Sequence, residues 1–188
     1  MKDKFYIGQT FTGDRPPQAA AWCNSNNAHI ERIDGVQTIV ANPVHVPTKK
    51  ELIDFVTTEA DKVAYGGITI IANEQEYLFK TTTDNITRCN SVLAMYEVLP
   101  DDTVIPWEVW QGDTPVMLPV NKAQFKKCFA FGASMIIEVE TAKGMINANI
   151  QKLTDEQLAD PVYIAVFKEN TVIQLEQINT VFKLDTQE

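Results

Sequence analysis

Eight side chains in this sequence have chemistry beyond packing and simple charge: His29 and His45, Cys23, Cys89 and Cys128, and Ser25, Ser91 and Ser134. A protein-bound zinc needs three or four imidazole, thiolate or carboxylate ligands at close spacing. His29 lies in an alternating stretch, His45 stands between prolines, and no Cys-x-x-Cys occurs. Cys23 and the two histidines therefore read as unligated. A hydrolase serine sits in a Gly-x-Ser-x-Gly turn, and none of the three serines has one. A cysteine nucleophile needs a neighbouring base. Cys89 and Cys128 instead fall on apolar helical faces, where burial keeps a thiol protonated and inert. Gly66-Gly67 would cradle a phosphate only ahead of a helix, and a β-rich run follows it. Asp101-Asp102, after Pro100, reads as a helix stop rather than a cation site. The other Asp and Glu residues fall mostly on solvated helix positions, which argues against a cell-wall hydrolase or another enzyme built on a carboxylate cleft. The expectation is no catalytic residue, no cofactor and no metal.

The elements that carry these residues alternate between hairpins and helices. Residues 4–11 read as a β segment, broken by the prolines at 16 and 17. Those prolines suit a first helical turn, so AAAWC continues as a helix of about two turns. Asn24 to Asn27 end it. AHIERI and VQTIVA then flank Asp34-Gly35, a strong two-residue turn signal, and Trp22 is the natural plug against Ile30 and Ile39. After the proline-bounded linker 42–47, Thr48 and Glu51 form a capping box for a helix from 49 to about 64, stopped by Gly66-Gly67. A second hairpin spans 68–79 around Asn73-Glu74. A helix begins near Asp84, with Ile86, Cys89, Leu93 and Tyr96 on one face. VIPWEVW and PVMLPV, separated by QGDT, make a third hairpin.

Asn121 and Gln124 cap the longest element, a proline-free run from Lys122 to Leu153. Phe125, Cys128, Gly132, Met135 or Ile136, Val139, Ala142, Ile146, Asn149 or Ile150 and Leu153 recur at three- and four-residue spacing, a heptad-like stripe over about four heptads. Its expected partner is the 84–99 helix, antiparallel and roughly half as long, which leaves apolar stripe over and predicts self-association. Thr154 and Gln157 form a further capping box, and VYIAVFKENTVIQLEQINTVFKL reads as two or three β segments. The expected fold is α+β: β-hairpins packed with a helical hairpin that includes one long helix. The expected organisation is a helix–hairpin docking unit at 1–45, an α+β domain at 46–157 and a β extension at 158–188.

Composition bounds the partners. The chain has 188 residues, 45% hydrophobic and 22% charged, with net charge −9, enough for one ordinary domain or two small ones. An acidic surface with scattered Lys and Arg repels phosphate backbones, so nucleic-acid binding is not expected. Three sparse cysteines read as reduced thiols in a cytoplasmically made protein. No run approaches the roughly 18 apolar residues of a membrane span, so no membrane insertion is expected. The aromatic residues point to protein partners instead. Trp107 and Trp110 are three apart and so fall on opposite faces of their strand, one for the core and the other for solvent, a neighbouring helix or a partner. The expected interface residues are Trp22, Trp107, Trp110, Phe125, Ile136, Val139 and Ile146.

Two stretches resemble phage proteins. Residues 66–153 resemble a domain of unknown function that recurs in bacteriophage tail-fibre and tail-associated proteins. The matching positions are Phe79, Asp84, Asn85, Ile86, Pro106, Trp107, Phe125, Ala142, Lys143 and Ile150. The opening PPQAAAWCNSNNAHIERI is similar to a P-P-x-A-A-x-W-C-N segment at the start of small tail proteins of phages and prophages. The residues after 158 have no counterpart in either pattern. The resemblance implies a virion (tail) location and a structural role at the tail fibre or baseplate. It implies other tail proteins as partners, with a homo-oligomer as a further possibility, and it carries over no catalytic residue. The alternatives are a tail-fibre assembly chaperone that leaves the particle and, less directly, a host-directed inhibitor.

Overall fold

In the computed structural model, residues 5–14, 16–43, 45–100 and 102–184 are described. Position 4, where the first β segment was expected to start, and Asp101 of the expected helix stop lie outside them. The chain divides into two compact units, Met1–His45 and Val46–Glu188.

The first unit is a short helix beside a three-stranded antiparallel sheet. Helix α1 (Pro17–Ser25) starts on Pro16 and Pro17, whose fixed φ suits a first turn. It ends where Asn26 donates its N–H to the Cys23 carbonyl and Asn27 turns left-handed at φ 48°. Strands β2 (Ala28–Ile33) and β3 (Val36–Ala41) form the expected hairpin. Asp34 and Gly35 both take positive φ, as a type I′ turn requires. Strand β1 (Thr10–Phe11) is shorter than the expected segment and adds to the outside of β3. Ile39 is fully buried beside Cys23 and Ala28, and Trp22 and Ile30 pack against them.

The second unit joins a five-stranded sheet to a helical layer. Helix α2 (Lys49–Gly66) opens on the Thr48–Glu51 capping box and stops at Gly67, φ 107°. A Cβ there would meet the Phe79 carbonyl oxygen at 2.6 Å, so only glycine lets the chain turn into the sheet so close to its neighbour. Strands β4 (Ile68–Ala72) and β5 (Gln75–Phe79) follow, with Asn73 and Glu74 both at positive φ. Helix α3 (Thr83–Tyr96) is capped by Thr82. Strands β6 (Val104–Gln111) and β7 (Thr114–Asn121) turn over Gly112-Asp113. Helix α4 (Lys122–Gln151) carries the expected Asn121–Gln124 box.

Two cores meet along α4. The sheet face formed by Ile68, Ile70, Phe79, Val109 and Val120 packs on Phe125, Cys128 and Met135 of α4 and on Cys89 and Tyr96 of α3. One turn further on, Val139, Ile146 and Ile150 of α4 enter a second core with Leu52, Val56 and Ala60 of α2. Lys49 Nζ donates to the Gln151 carbonyl at 2.8 Å, so α2 runs antiparallel to α4, its first turn beside the last turn of α4. The fold is α+β with one long helix, as expected.

Two expectations about packing are overturned. The C-terminal stretch is not a β extension. Helix α5 (Asp155–Ala159) leads into helix α6 (Pro161–Glu176), and only β8 (Val181–Lys183) is a strand. Asp160 caps α6 by accepting from the backbone N–H groups of Val162 and Tyr163, and Pro161 fills its first position. The many β-branched residues suggested strands, but Ile164, Phe167, Thr171 and Leu175 recur at helical spacing and face the second core. Strand β8 adds parallel to β4 and gives the sheet order β7-β6-β5-β4-β8. The chief partner of α4 along its second half is therefore α2, with α6, rather than α3. The stripe that seemed left over is covered from within the chain.

Candidate interaction surface

The residues that could have carried chemistry are placed by their elements. Cys23, Cys89 and Cys128 are all buried and free. Burial, chiefly, pushes the Cys89 thiol up to about 12, against a weaker pull from Arg88. Burial, with Cys89 nearby, pushes Cys128 up to about 12 as well. A thiolate is the reactive form, so neither is available at neutral pH. His29 is exposed, and its Nδ1 hydrogen-bonds Asn42 Oδ1 at 2.8 Å. Among the described residues, no group of three or more His, Cys, Asp and Glu side chains could hold a metal ion. Among the described residues, no helix is long and apolar enough to cross a membrane.

The expected interface residues divide. Trp107, Phe125, Val139 and Ile146 are buried in the cores of their own unit, so they are not open to a neighbour. Trp107 is 4.8 Å from Phe125 and 5.8 Å from Phe79, centroid to centroid, and Tyr96 closes the group at 5.6 Å from Phe125. Phe79, Trp107, Phe125 and Tyr96 thus form one aromatic cluster in the sheet core. Ile136 and Trp22 are half-buried against their respective cores. Trp110 is half-buried on the opposite face from Trp107, and Lys80 Nζ lies 3.3 Å from its ring centroid, a cation–π contact that covers part of its face.

Among the described residues of the second unit, exposed apolar side chains gather on two surfaces. The first is the outer face of the β6–β7 ribbon. There Val104 and Met117 are exposed, and Pro106 stands opposite Pro119. Gln111 and Thr114 flank a two-residue turn and form a hydrogen-bonded pair. Alternation then places Pro106, Pro115 and Pro119 at positions that make no ladder bond to the partner strand. Strand β7 is the edge of the sheet, and its two prolines remove outward donors there, so another strand cannot readily add to it.

The second surface lies along α4 and α6. These helices run antiparallel: Asn149 of α4 and Tyr163 of α6 line one end of a groove, and Ser134 and Gln177 the other. Ile137 and Met145 of α4 are exposed beside it. On α6 the exposed residues Val162, Val166 and Ile173 lie opposite the buried Ile164, Thr171 and Leu175. Sequence reasoning missed this surface because it assigned β segments to 162–184. Read at helical spacing, residues 162, 166 and 173 form their own stripe.

The chain was compared with protein-family models, with curated proteins and with solved structures, and nothing matches it.

Proposed function

We propose that this chain is a non-enzymatic structural component of a bacteriophage tail, attached at the fibre or baseplate and acting through protein–protein contacts. The phage assignment rests on the two sequence resemblances. The observation that carries the mode of action is where the chain leaves apolar surface. Tyr6, Ile7 and Ile33 are exposed on the first unit, and Val104 and Met117 on the outer face of the β6–β7 ribbon, while all three thiols are buried. Exposed apolar patches on a protein mark contacts with other macromolecules more often than chemistry. The first unit, with few fully buried residues, suits a docking element that gains stability on its neighbour.

Mass spectrometry of purified phage particles tests this. The expected result is the chain present at a fixed ratio to the fibre or baseplate proteins. A chain that binds the fibre protein during assembly but is missing from finished particles is an assembly chaperone. A chain absent from particles that binds no tail protein overturns the proposal.

A further inference from the structure

A surface helix normally turns one apolar stripe to its core and a polar face to water. Helix α6 does not. Its core side carries Ile164, Phe167 and Leu175, and its far side carries Val162, Val166 and Ile173, with Val162 70% exposed. A helix apolar on both sides is ordinarily covered on both sides. The adjoining side of α4 is of the same kind, with Ile137 67% and Met145 62% exposed. Among the described residues lining the groove between the two helices, Glu138 alone is charged; the polar ones are amides and hydroxyls. Glu169 lies at the margin of the α6 stripe.

We propose that the outer α4–α6 face is the contact between two copies of this chain, paired about a two-fold axis so that the four helices form an antiparallel bundle. Three observations select a second copy over an unrelated partner. First, each chain carries a net charge of −9. Repulsion between two such chains is least at a face with few carboxylates, and this face carries only Glu138 and, at its edge, Glu169 among the described residues. Second, a contact with a different partner draws its specificity from complementary charge, which the groove lacks, whereas self-contacts are the more apolar class. Third, the exposed side chains of Ile137, Met145, Val162, Tyr163, Val166 and Ile173 amount to an area on the order of 600 Å² per copy, near the roughly 800 Å² each partner gives a standard interface. An antiparallel helix pair is also self-complementary under a two-fold rotation, which closes the assembly at two copies.

This pairing goes beyond the tail-component proposal and does not rest on it. A chain that dimerises in buffer yet is missing from particles would keep the one and lose the other. The test is sedimentation velocity and light scattering on the full chain across a dilution series. The wild type is expected as a dimer that dissociates on dilution. Val166→Glu with Ile173→Glu is expected to retain the helical circular dichroism and weaken pairing by roughly 100-fold, whereas Met117→Glu on the β7 face leaves pairing unchanged. If the double variant fails to fold, Val162→Glu, at the most exposed of these positions, takes its place with the same expected loss. A wild type that is monomeric throughout the series overturns the proposal. So does undiminished pairing in the folded α6 variant, or loss of pairing with Met117→Glu.

Discussion

Single residues in this chain are decided by burial. Cys89 and Cys128 stay protonated in the fold up to about 12, whereas an unfolded thiol ionises near about 8.5. Between those values the unfolded chain binds fewer protons than the folded one, so stability is full below the lower value and falls as pH rises towards the upper one. Thermal unfolding midpoints should therefore drop progressively above about pH 9, with a smaller drop in a Cys89→Ala, Cys128→Ala chain. At neutral pH neither thiol should react with a thiol reagent until the chain is unfolded. Gly67 is the position least able to change. Its φ of 107° and the 2.6 Å approach to the Phe79 carbonyl combine backbone strain with a backbone clash, so Gly67→Ala should cost about 3 kcal/mol in chemical denaturation. The inertness of Cys89 and Cys128 was legible in the sequence, because apolar residues at helical spacing surround each of them. The fate of the tryptophans was half legible. Alternation separated Trp107 from Trp110, but only the Lys80 contact shows how Trp110 is partly covered.

Among the elements, those with local chemical signals follow the sequence closely. The capping boxes at Thr48, Asn121 and Thr154 all form, because each needs only a side chain and a backbone N–H three residues apart. The hairpins at Asp34-Gly35 and Asn73-Glu74 likewise depend on a few adjacent φ angles. Helix α6 was missed for the opposite reason. Its apolar residues lie on every side, so no single period stood out, and its β-branched content favoured strands. Its Asp160-Pro161 start was nonetheless a legitimate helix signal. Helix α4 holds two glycines that serve no close approach. A Cβ at Gly144 would meet nothing within 4 Å, and one at Gly132 would make ordinary contacts at 3.8 Å with Thr81 and 4.0 Å with Ile68. Gly144→Ala should therefore stabilise the second unit by about 0.5–1 kcal/mol, read from the denaturation midpoint, with Gly132→Ala similar or slightly less.

As a whole, the molecule is two units of very different size. Limited proteolysis should cut within the proline-bounded segment 42–47 and leave Val46–Glu188 with a cooperative unfolding transition. A chain of residues 1–45 alone should lack stable structure by circular dichroism. Its core is Cys23, Ala28 and Ile39 with four partly buried neighbours, and isolated domains of that size seldom bury enough to offset chain entropy. A separately stable 1–45 would contradict the expected dependence of the first unit on a neighbour, and a 46–188 chain that unfolds without cooperativity would contradict the division. The amino-acid order alone settled the caps, the hairpin turns, the length of α4, the inertness of Cys89 and Cys128 and the α+β class, since each depends on neighbours within a few residues or on a regular period. The three-dimensional structure alone settled which helix lies on the second half of α4, that the C-terminal segment closes the second core, and that the outer side of α4 and α6 is an open apolar surface. Those outcomes depend on contacts between residues up to about a hundred positions apart, such as Lys49 with Gln151. An apolar stripe says that something must cover it, but not which distant segment does.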